Sequence, residues 1–187
     1  MRSRRCREEL SDPGGLWCRG SSGPTLLPRL TGRWLKDFGA PTLARPRSPR
    51  HQVLVLALAR RLQDASPASL QALIAPVDVR IDDATVLQPD VLIVPRSEVG
   101  ERFVRHPVLA VEVRSPSTRS TDLTCKKARY ERAGCASYWV VDPVGRSLTA
   151  WDLVEGRYVQ VAYAVSPDEL SLVNPVQVRV PLADLLA

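Results

Sequence analysis

The feature that most constrains the fold is the six-residue run from Val108 to Val113 (VLAVEV), which is apolar except for Glu112. A continuous apolar run of this length is typical of a central β-strand that is buried on both faces. A carboxylate inside such a strand is costly to bury unless it is paired with a cation or bound to a metal. The run therefore predicts a sheet covered on both sides and a special environment for Glu112.

A second acid stands in a similar setting on the preceding apolar segment. Asp90 follows Pro89 and precedes the run from Val91 to Val94. Two acids on neighbouring strands can point at one spot, and oxygen ligands of this kind suit Mg²⁺ or Mn²⁺. The alternative is that each acid caps a strand end or pairs with an arginine, and for two acids alone this alternative is favoured.

The helix expected after the Glu112 strand adds a cation to the same region. Asp122, Lys126 and Tyr130 are spaced i, i+4 and i+8, so they lie along one face of a helix predicted over residues 122–133. Lys126 could then hold a scissile phosphate or an attacking water, whereas Lys127 lies about 100° around the helix. The alternative is a surface ion pair beside a packed tyrosine.

The rest of the pattern alternates helices and short strands. A helix is predicted over residues 51–64, although the run from Val53 to Leu58 alone could also be a strand. Pro89, inside one predicted strand, favours a sheet edge or a strand start. The order of elements favours an α/β or α+β domain with one mixed sheet flanked by helices. The further strands predicted from apolar runs and turn signals cover residues 72–81, 86–94, 138–141, 148–153, 158–164 and 176–180.

The positive charge of the chain is concentrated at its N-terminus. Residues 1–50 carry 11 Lys and Arg against 4 Asp and Glu, a net +7, whereas residues 51–187 carry 15 against 16, a net −1. Because the second part is almost neutral, bulk charge is weak support for nucleic-acid binding. Residues 1–45 keep no helical or strand period, so we expect a poorly patterned basic segment before a domain over residues 46–187.

The sequence shows no signal for a membrane or for export. No apolar run reaches the roughly 18 residues that a membrane span needs, and no apolar stretch follows the N-terminal arginines as it would in a signal peptide. We therefore expect a cytoplasmic protein without a membrane partner. The four cysteines form no C-x-x-C pair, so a zinc site is not expected either.

Taken in order, the candidate residues resemble those of the Uma-two family of restriction-endonuclease-like proteins, part of the PD-(D/E)XK nuclease superfamily. The resemblance covers about residues 46–165 and implies a restriction-endonuclease-like core, in which a mixed central sheet is flanked by helices. Its motifs are QPDV (Gln88 to Val91), VEV (Val111 to Val113), SPST (Ser115 to Thr118), the stripe Asp122, Lys126 and Tyr130, Ala133-Gly134, and YWVVDP (Tyr138 to Pro143).

The resemblance implies a role for each candidate residue. Asp90 matches the Asp of the PD motif and Glu112 the acid of the (D/E)XK motif, and both would hold Mg²⁺ or Mn²⁺ together with the Val113 backbone carbonyl. The motif lysine is replaced by Arg114, and Lys126 on the next helix is implied to take its place as the third catalytic residue. The implied activity is Mg²⁺-dependent endonucleolytic hydrolysis of DNA phosphodiester bonds, for which a homodimer would suit double-strand cleavage.

The sequence departs from the family before the Ser-Pro-x-His stretch, which is Ser48 to His51 here. Family members carry a strand pair with a Tyr-Glu-Leu-like segment there, and residues 1–45 lack it; one hypothesis is a frameshift or a misplaced start. The loss favours a rival function, a catalytically inactive DNA-binding or interaction module that retains the nuclease fold, whereas Asp90, Glu112 and Lys126 favour the enzyme. His51 resembles a family position, or it is a helix-capping or packing histidine.

Overall fold

The computed structural model describes residues 48–114 and 120–186, without the side chains of residues 120–122. The expectations for residues 1–45, for Ser115 to Thr118 and for the Asp122 side chain lie outside the described residues. The elements in chain order are α1 (Pro49–Ala65), β1 (Leu70–Ile74), β2 (Val79–Arg80), β3 (Val86–Leu87), β4 (Val91–Pro95), β5 (Leu109–Val113), α2 (Ser120–Arg132), β6 (Ser137–Asp142), β7 (Ser147–Val154), β8 (Arg157–Val165), β9 (Glu169–Leu172), β10 (Val178–Pro181) and α3 (Leu182–Leu185).

A mixed sheet organises the described part of the chain, with the strand order β1-β4-β5-β6-β7-β8. Its neighbours are antiparallel except β5 and β6, which run parallel and are connected through α2. The strand with Glu112, β5, lies in the interior of the sheet and is buried at all five positions. The expected fold class, a mixed central sheet flanked by helices, is confirmed.

Each face of the sheet carries its own apolar layer. On the α1 face, Val91 and Val111 belong to one buried cluster with the apolar stripe of α1. On the α2 face, Leu92 and Ala110 belong to a second cluster with Tyr130 of α2. Side chains alternate between faces along a strand, so residues of opposite parity on β4 and β5 enter opposite layers. The α1 stripe, spaced to lie on one helical face, consists of Leu54, Val55, Leu58, Ala59 and Leu62.

The start of α1 is fixed by local chemistry. The Ser48 hydroxyl accepts a hydrogen bond from the His51 backbone N–H at 3.2 Å, and Pro49 occupies the first turn, where its missing N–H costs nothing. This cap holds His51 in the first turn of the helix. The predicted helix over residues 51–64 is confirmed, and the strand alternative for Val53 to Leu58 is wrong.

Two predicted strands are divided in the structure. Residues 72–81 cover most of β1 and all of β2, which are separated around Pro76. Residues 86–94 cover β3 and most of β4, which are separated by Pro89 and its neighbours. A proline cannot donate to a sheet ladder, so the apolar pattern continues through it while the strand does not. Pro89 precedes β4, which has a neighbour on each side, so the interpretation as a strand start is correct and the edge interpretation is wrong.

The hairpin of β7 and β8 forms one end of the sheet. Glu155 and Gly156 form its turn with φ values of 49° and 77°, as a tight hairpin turn requires. The ladder runs from Ser147 paired with Val165 to Val154 paired with Arg157, with an irregularity between Ala150 and Trp151. β9 and α3, which the sequence did not predict, follow this hairpin and join the apolar layer on the α1 face.

Candidate active site

Glu112 lies on the α2 face of the sheet with only 2% of its surface exposed. The Lys126 ammonium, which comes from α2, donates to both of its carboxylate oxygens, at 3.1 Å to Oε1 and 3.0 Å to Oε2. The Lys126 side chain is itself mostly buried, at 18% exposure. The costly carboxylate in the central strand therefore has the cationic partner that its burial demands.

Lys127, the next residue on α2, has a different environment. Its Nζ lies 4.3 Å from the centroid of the Trp151 ring on β7. Partial burial at this contact lowers the pKa of Lys127 below its ordinary value, against the nearby charge of Glu131. The two lysines thus diverge as one residue step of a helix requires, and Lys126 is the one that reaches Glu112.

Asp90 precedes β4 and is also 2% exposed. Its Oδ2 accepts a hydrogen bond of 2.8 Å from the Val113 N–H, and its Oδ1 lies 3.2 Å from Nε2 of His51. Its own N–H donates to the Val111 carbonyl at 3.0 Å. The Asp90 carboxylate is therefore held beside the end of β5, between that strand and the first turn of α1.

The two acids are joined by a continuous set of contacts. Asp90 is bonded to the N–H of the peptide that links Glu112 to Val113, so it is attached to β5 directly beside the Glu112 position. Asp90 is contacted from α1 by His51, and Glu112 is contacted from α2 by Lys126. The structure thus brings the predicted acids and lysine into one region, with each acid held by a different helix.

The Val113 backbone faces the same region. Its N–H donates to Asp90, and an extended residue directs its N–H and C=O toward the same neighbouring strand. The Val113 carbonyl is therefore placed on the Asp90 side of β5, where the resemblance expected a metal ligand.

Arg114, at the position of the motif lysine, is bound elsewhere. Its guanidinium donates to Oδ2 of Asp142 at the end of β6. The other oxygen of Asp142 accepts the N–H groups of Val144 and Gly145 in the β6–β7 turn. Arg114 thus braces a turn, while Lys126 contacts the acid of the motif.

Tyr130 of α2 is a further buried residue near Glu112. It is fully buried, and its ring stacks on that of Tyr138 with 5.6 Å between centroids. Its hydroxyl has no hydrogen-bond partner among the residues that the structure describes. Burial first, and then the negative charge of Glu112, raise the pKa of Tyr130 well above its ordinary value, so the hydroxyl stays neutral.

Two contacts of the site were not settled by sequence reasoning. The sequence leaves the role of His51 open, although the Ser48-Pro49 cap is a usable signal because it fixes which residues fall in the first helical turn. The Val113 N–H was not anticipated as a donor to Asp90. A backbone donor carries no side-chain signature, so the pairing follows only from the register of β4 and β5.

The donor set fits a hard divalent cation. Mg²⁺ is commonly bound through one or two carboxylates, with waters and substrate phosphates completing its octahedron. Among the side chains that the structure describes, no three from His, Cys, Asp or Glu are grouped as a metal cage. Two acids and a backbone carbonyl suffice for such a cation, and with one lysine the group has a formal charge of −1, which attracts it.

Comparisons with known proteins identify the family of the chain. The model of the Uma-two family, described as "Putative restriction endonuclease", matches residues 38–183, a wider range than the 46–165 expected from the motifs. No curated protein matches the chain.

The fold also has a counterpart among solved structures. The crystal structure of "a putative nuclease belonging to DUF820" from Anabaena variabilis is similar over 75% of this chain and 82% of that one, with a TM-score of 0.62 and 16% identity. At that identity the likeness concerns the fold. Among the helices that the structure describes, none is long and apolar enough to cross a membrane.

Proposed function

Because the chain belongs to the Uma-two family of restriction-endonuclease-like proteins, we propose that it is a divalent-metal-dependent endonuclease that hydrolyses phosphodiester bonds of DNA. The observation that carries the proposal is the group formed by Asp90, Glu112 and Lys126. One buried acid is bonded to the Val113 N–H, next to the buried Glu112, and a lysine from the next helix lies against Glu112. Burial of this much charge is expensive, and a catalytic site is one place where that cost is retained.

The residues proposed to hold Mg²⁺ or Mn²⁺ are Asp90, Glu112 and the carbonyl of Val113. When bound, such a cation lowers the pKa of water and neutralises charge on the phosphate. The Asp90 carboxylate is already held in one orientation, because its two oxygens contact the Val113 N–H and His51. A ligand held by such contacts loses little entropy on binding.

Lys126 is proposed to act on the phosphate. Its ammonium lies on the Glu112 carboxylate, within reach of any phosphate held beside that acid. A preorganised donor at this position stabilises negative charge that develops on the phosphate oxygens, or orients the attacking water. The rings of Tyr130 and Tyr138, which are buried on the same face of the sheet, exclude bulk water there, and this strengthens each electrostatic contact.

The same lysine contact favours a second candidate function. Lys126 already neutralises Glu112 through both oxygens, so the region is stable without a metal. A catalytically inactive DNA-binding or interaction module that keeps the nuclease fold would retain this ion pair.

Plasmid cleavage separates the two functions. Supercoiled DNA is incubated with the full-length protein in Mg²⁺, Mn²⁺ or EDTA, and nicked and linear products are measured. We expect cleavage in either metal, none in EDTA, and none with Asp90→Asn or Glu112→Gln. Asp83→Asn, at a fully exposed turn acid, is the matched control and should cleave normally. Equal cleavage by wild type and Asp90→Asn would mean that the cleavage does not come from this site. DNA binding without cleavage would leave the inactive module as the function.

A further inference from the structure

His51 occupies a position where the pattern of α1 predicts an apolar side chain. The buried residues Leu54, Val55 and Leu58 follow it three, four and seven residues later, so it lies on the helical face that packs on the sheet. The bond from its N–H to the Ser48 hydroxyl fixes this register at the start of the helix. The imidazole is only 8% exposed, so a polar ring is buried at the head of an apolar stripe.

The buried imidazole meets the Asp90 carboxylate. Nε2 of His51 lies 3.2 Å from Oδ1 of Asp90, while Oδ2 of Asp90 accepts the Val113 N–H. Neighbouring ligands of an octahedral cation lie about 3 Å apart when each is about 2.1 Å from the metal. Nε2 and Oδ1 therefore have the separation that two adjacent ligands of one such cation require.

The second histidine of the chain provides a contrast, because its contact with an acid has a structural role. His106 is 78% exposed, and its Nδ1 lies 2.6 Å from Oε1 of Glu98, the distance of a direct hydrogen bond. The other oxygen of Glu98 accepts the N–H groups of Arg105 and His106. This pair fastens an exposed loop before β5, whereas the pair of His51 and Asp90 is buried in the candidate site.

We propose that His51 is a ligand of the divalent cation through Nε2, and that it makes the site prefer Mn²⁺ to Mg²⁺. The inference rests on the proposed function, because the cation is the one assigned to Asp90 and the Val113 carbonyl. Mg²⁺ takes oxygen ligands and retains its waters, whereas first-row transition ions also bind imidazole. The described side chains show no preformed cage of three His, Cys, Asp or Glu. A nitrogen donor beside Asp90 therefore supplies a large share of the affinity.

Metal binding in the absence of DNA tests the ligand without cleavage. The electron paramagnetic resonance signal of unbound Mn²⁺ gives the dissociation constant of Mn²⁺ for the full-length protein, and displacement of Mn²⁺ gives that of Mg²⁺. We expect wild type to bind Mn²⁺ more tightly than Mg²⁺.

Two substitutions of His51 separate a ligand from a positioning residue. His51→Gln keeps a hydrogen-bond donor for Asp90, and His51→Leu continues the apolar stripe. Both should weaken Mn²⁺ binding by at least about tenfold, the scale on which even an outer-shell partner contributes. Mg²⁺ binding should change by less than about threefold in His51→Gln, because Mg²⁺ gains little from imidazole. His106→Gln, at the exposed histidine, is the matched control and should bind both ions as wild type does.

Pulsed electron paramagnetic resonance of bound Mn²⁺ tests the ligand in wild type, where no variant has to fold. The chain has two histidines, so labelling histidine alone with ¹⁵N should change the nitrogen frequencies coupled to Mn²⁺. The coupling should be lost in His51→Leu and kept in His106→Gln. No Mn²⁺ binding, no histidine coupling, or a coupling that survives in His51→Leu would overturn the proposal.

Plasmid cleavage, measured in parallel, keeps the two proposals apart. Wild type that cleaves but shows no histidine coupling would refute the ligand and leave the endonuclease intact. Histidine coupling that depends on His51, in a protein that never cleaves, would support the ligand and refute the enzyme. Equal weakening of Mn²⁺ and Mg²⁺ binding in His51→Gln would show that His51 only orients Asp90, and the ligand would be refuted.

Discussion

The ammonium of Lys126 lies 3.0 and 3.1 Å from the two carboxylate oxygens of Glu112, although the two residues belong to different elements. Glu112 is fixed by the central strand, and Lys126 by the second turn of α2. The ion pair therefore depends on the connection between parallel strands, which sets where α2 lies on the sheet. It also places a monovalent charge where the proposed divalent cation would bind, so metal binding and the lysine contact are coupled.

The first prediction concerns the different contributions of Lys126, Lys127 and Arg114 to cleavage. Lys126→Ala should slow cleavage by about 10²–10³-fold, because it removes a preorganised donor to the developing phosphate charge. Lys127→Ala and Arg114→Ala should slow cleavage much less, since these side chains contact Trp151 and Asp142. Single-turnover plasmid nicking at saturating metal measures the difference. A larger loss for Arg114→Ala than for Lys126→Ala would contradict the assignment.

A second prediction concerns stability. Lys126→Met leaves the buried Glu112 carboxylate without its ammonium, and should lower the free energy of unfolding by about 2 kcal/mol, less than the roughly 3–5 kcal/mol of a fully buried pair. The double variant Lys126→Met/Glu112→Gln removes both charges and should recover most of that loss. Unfolding in urea, monitored by circular dichroism, is measured for wild type, Lys126→Met, Glu112→Gln and the double variant, which together form a double-mutant cycle. Additive losses would show that the two residues do not stabilise each other.

Metal binding should raise the thermal stability of the protein. A cation that binds only the folded state at a hundred times its dissociation constant adds about 2.7 kcal/mol, a shift of several degrees in Tm. We expect the shift with Mg²⁺ or Mn²⁺ in wild type and in the control Asp83→Asn. Asp90→Asn and Glu112→Gln should each reduce it strongly. Because differential scanning fluorimetry reports binding without catalysis, an equal shift in Asp90→Asn would locate the cation elsewhere.

The fourth prediction concerns the hydroxyl of Tyr130. It is fully buried, and within the described residues nothing hydrogen-bonds to it. Burying an unsatisfied hydroxyl costs about 1–3 kcal/mol, so Tyr130→Phe should raise the free energy of unfolding by about 1 kcal/mol while the stacking on Tyr138 is kept. Tyr163→Phe, at an exposed hydroxyl, is the control and should change stability by less than about 0.5 kcal/mol. A destabilised Tyr130→Phe would mean that the hydroxyl has a bonding partner.

The parts of the fold and of the site that depend on one local sequence pattern could be predicted. The apolar run around Glu112 specified an interior strand, and the spacing of Lys126 and Tyr130 specified the face of α2 that meets it. The contact of His51 with Asp90 could not be derived in the same way. It joins the start of a helix to the start of a strand about forty residues later, and only the packing of α1 across the sheet determines that distance.

The short strands could not be predicted from the sequence for a related reason. β2 and β3 have two residues each, which is too few for any period to appear. Pro89 divides residues 86–94, but from the sequence alone a proline there is compatible with either a sheet edge or a strand start. The roles of Asp90, Glu112 and Lys126 in catalysis stay predictions until the substitutions are made.

The hairpin of β7 and β8 bears on the order in which the protein folds. Its strands are joined by a two-residue turn, so their contacts close small loops, whereas β5 reaches β6 only across the whole of α2. Closing larger loops costs more entropy, and local contacts therefore form first. We expect the nascent domain to assemble the end of the sheet that carries Tyr163 before β4 and β5 bring Asp90 and Glu112 together. The proposed catalytic centre would then be complete only after the outer part of the sheet has formed.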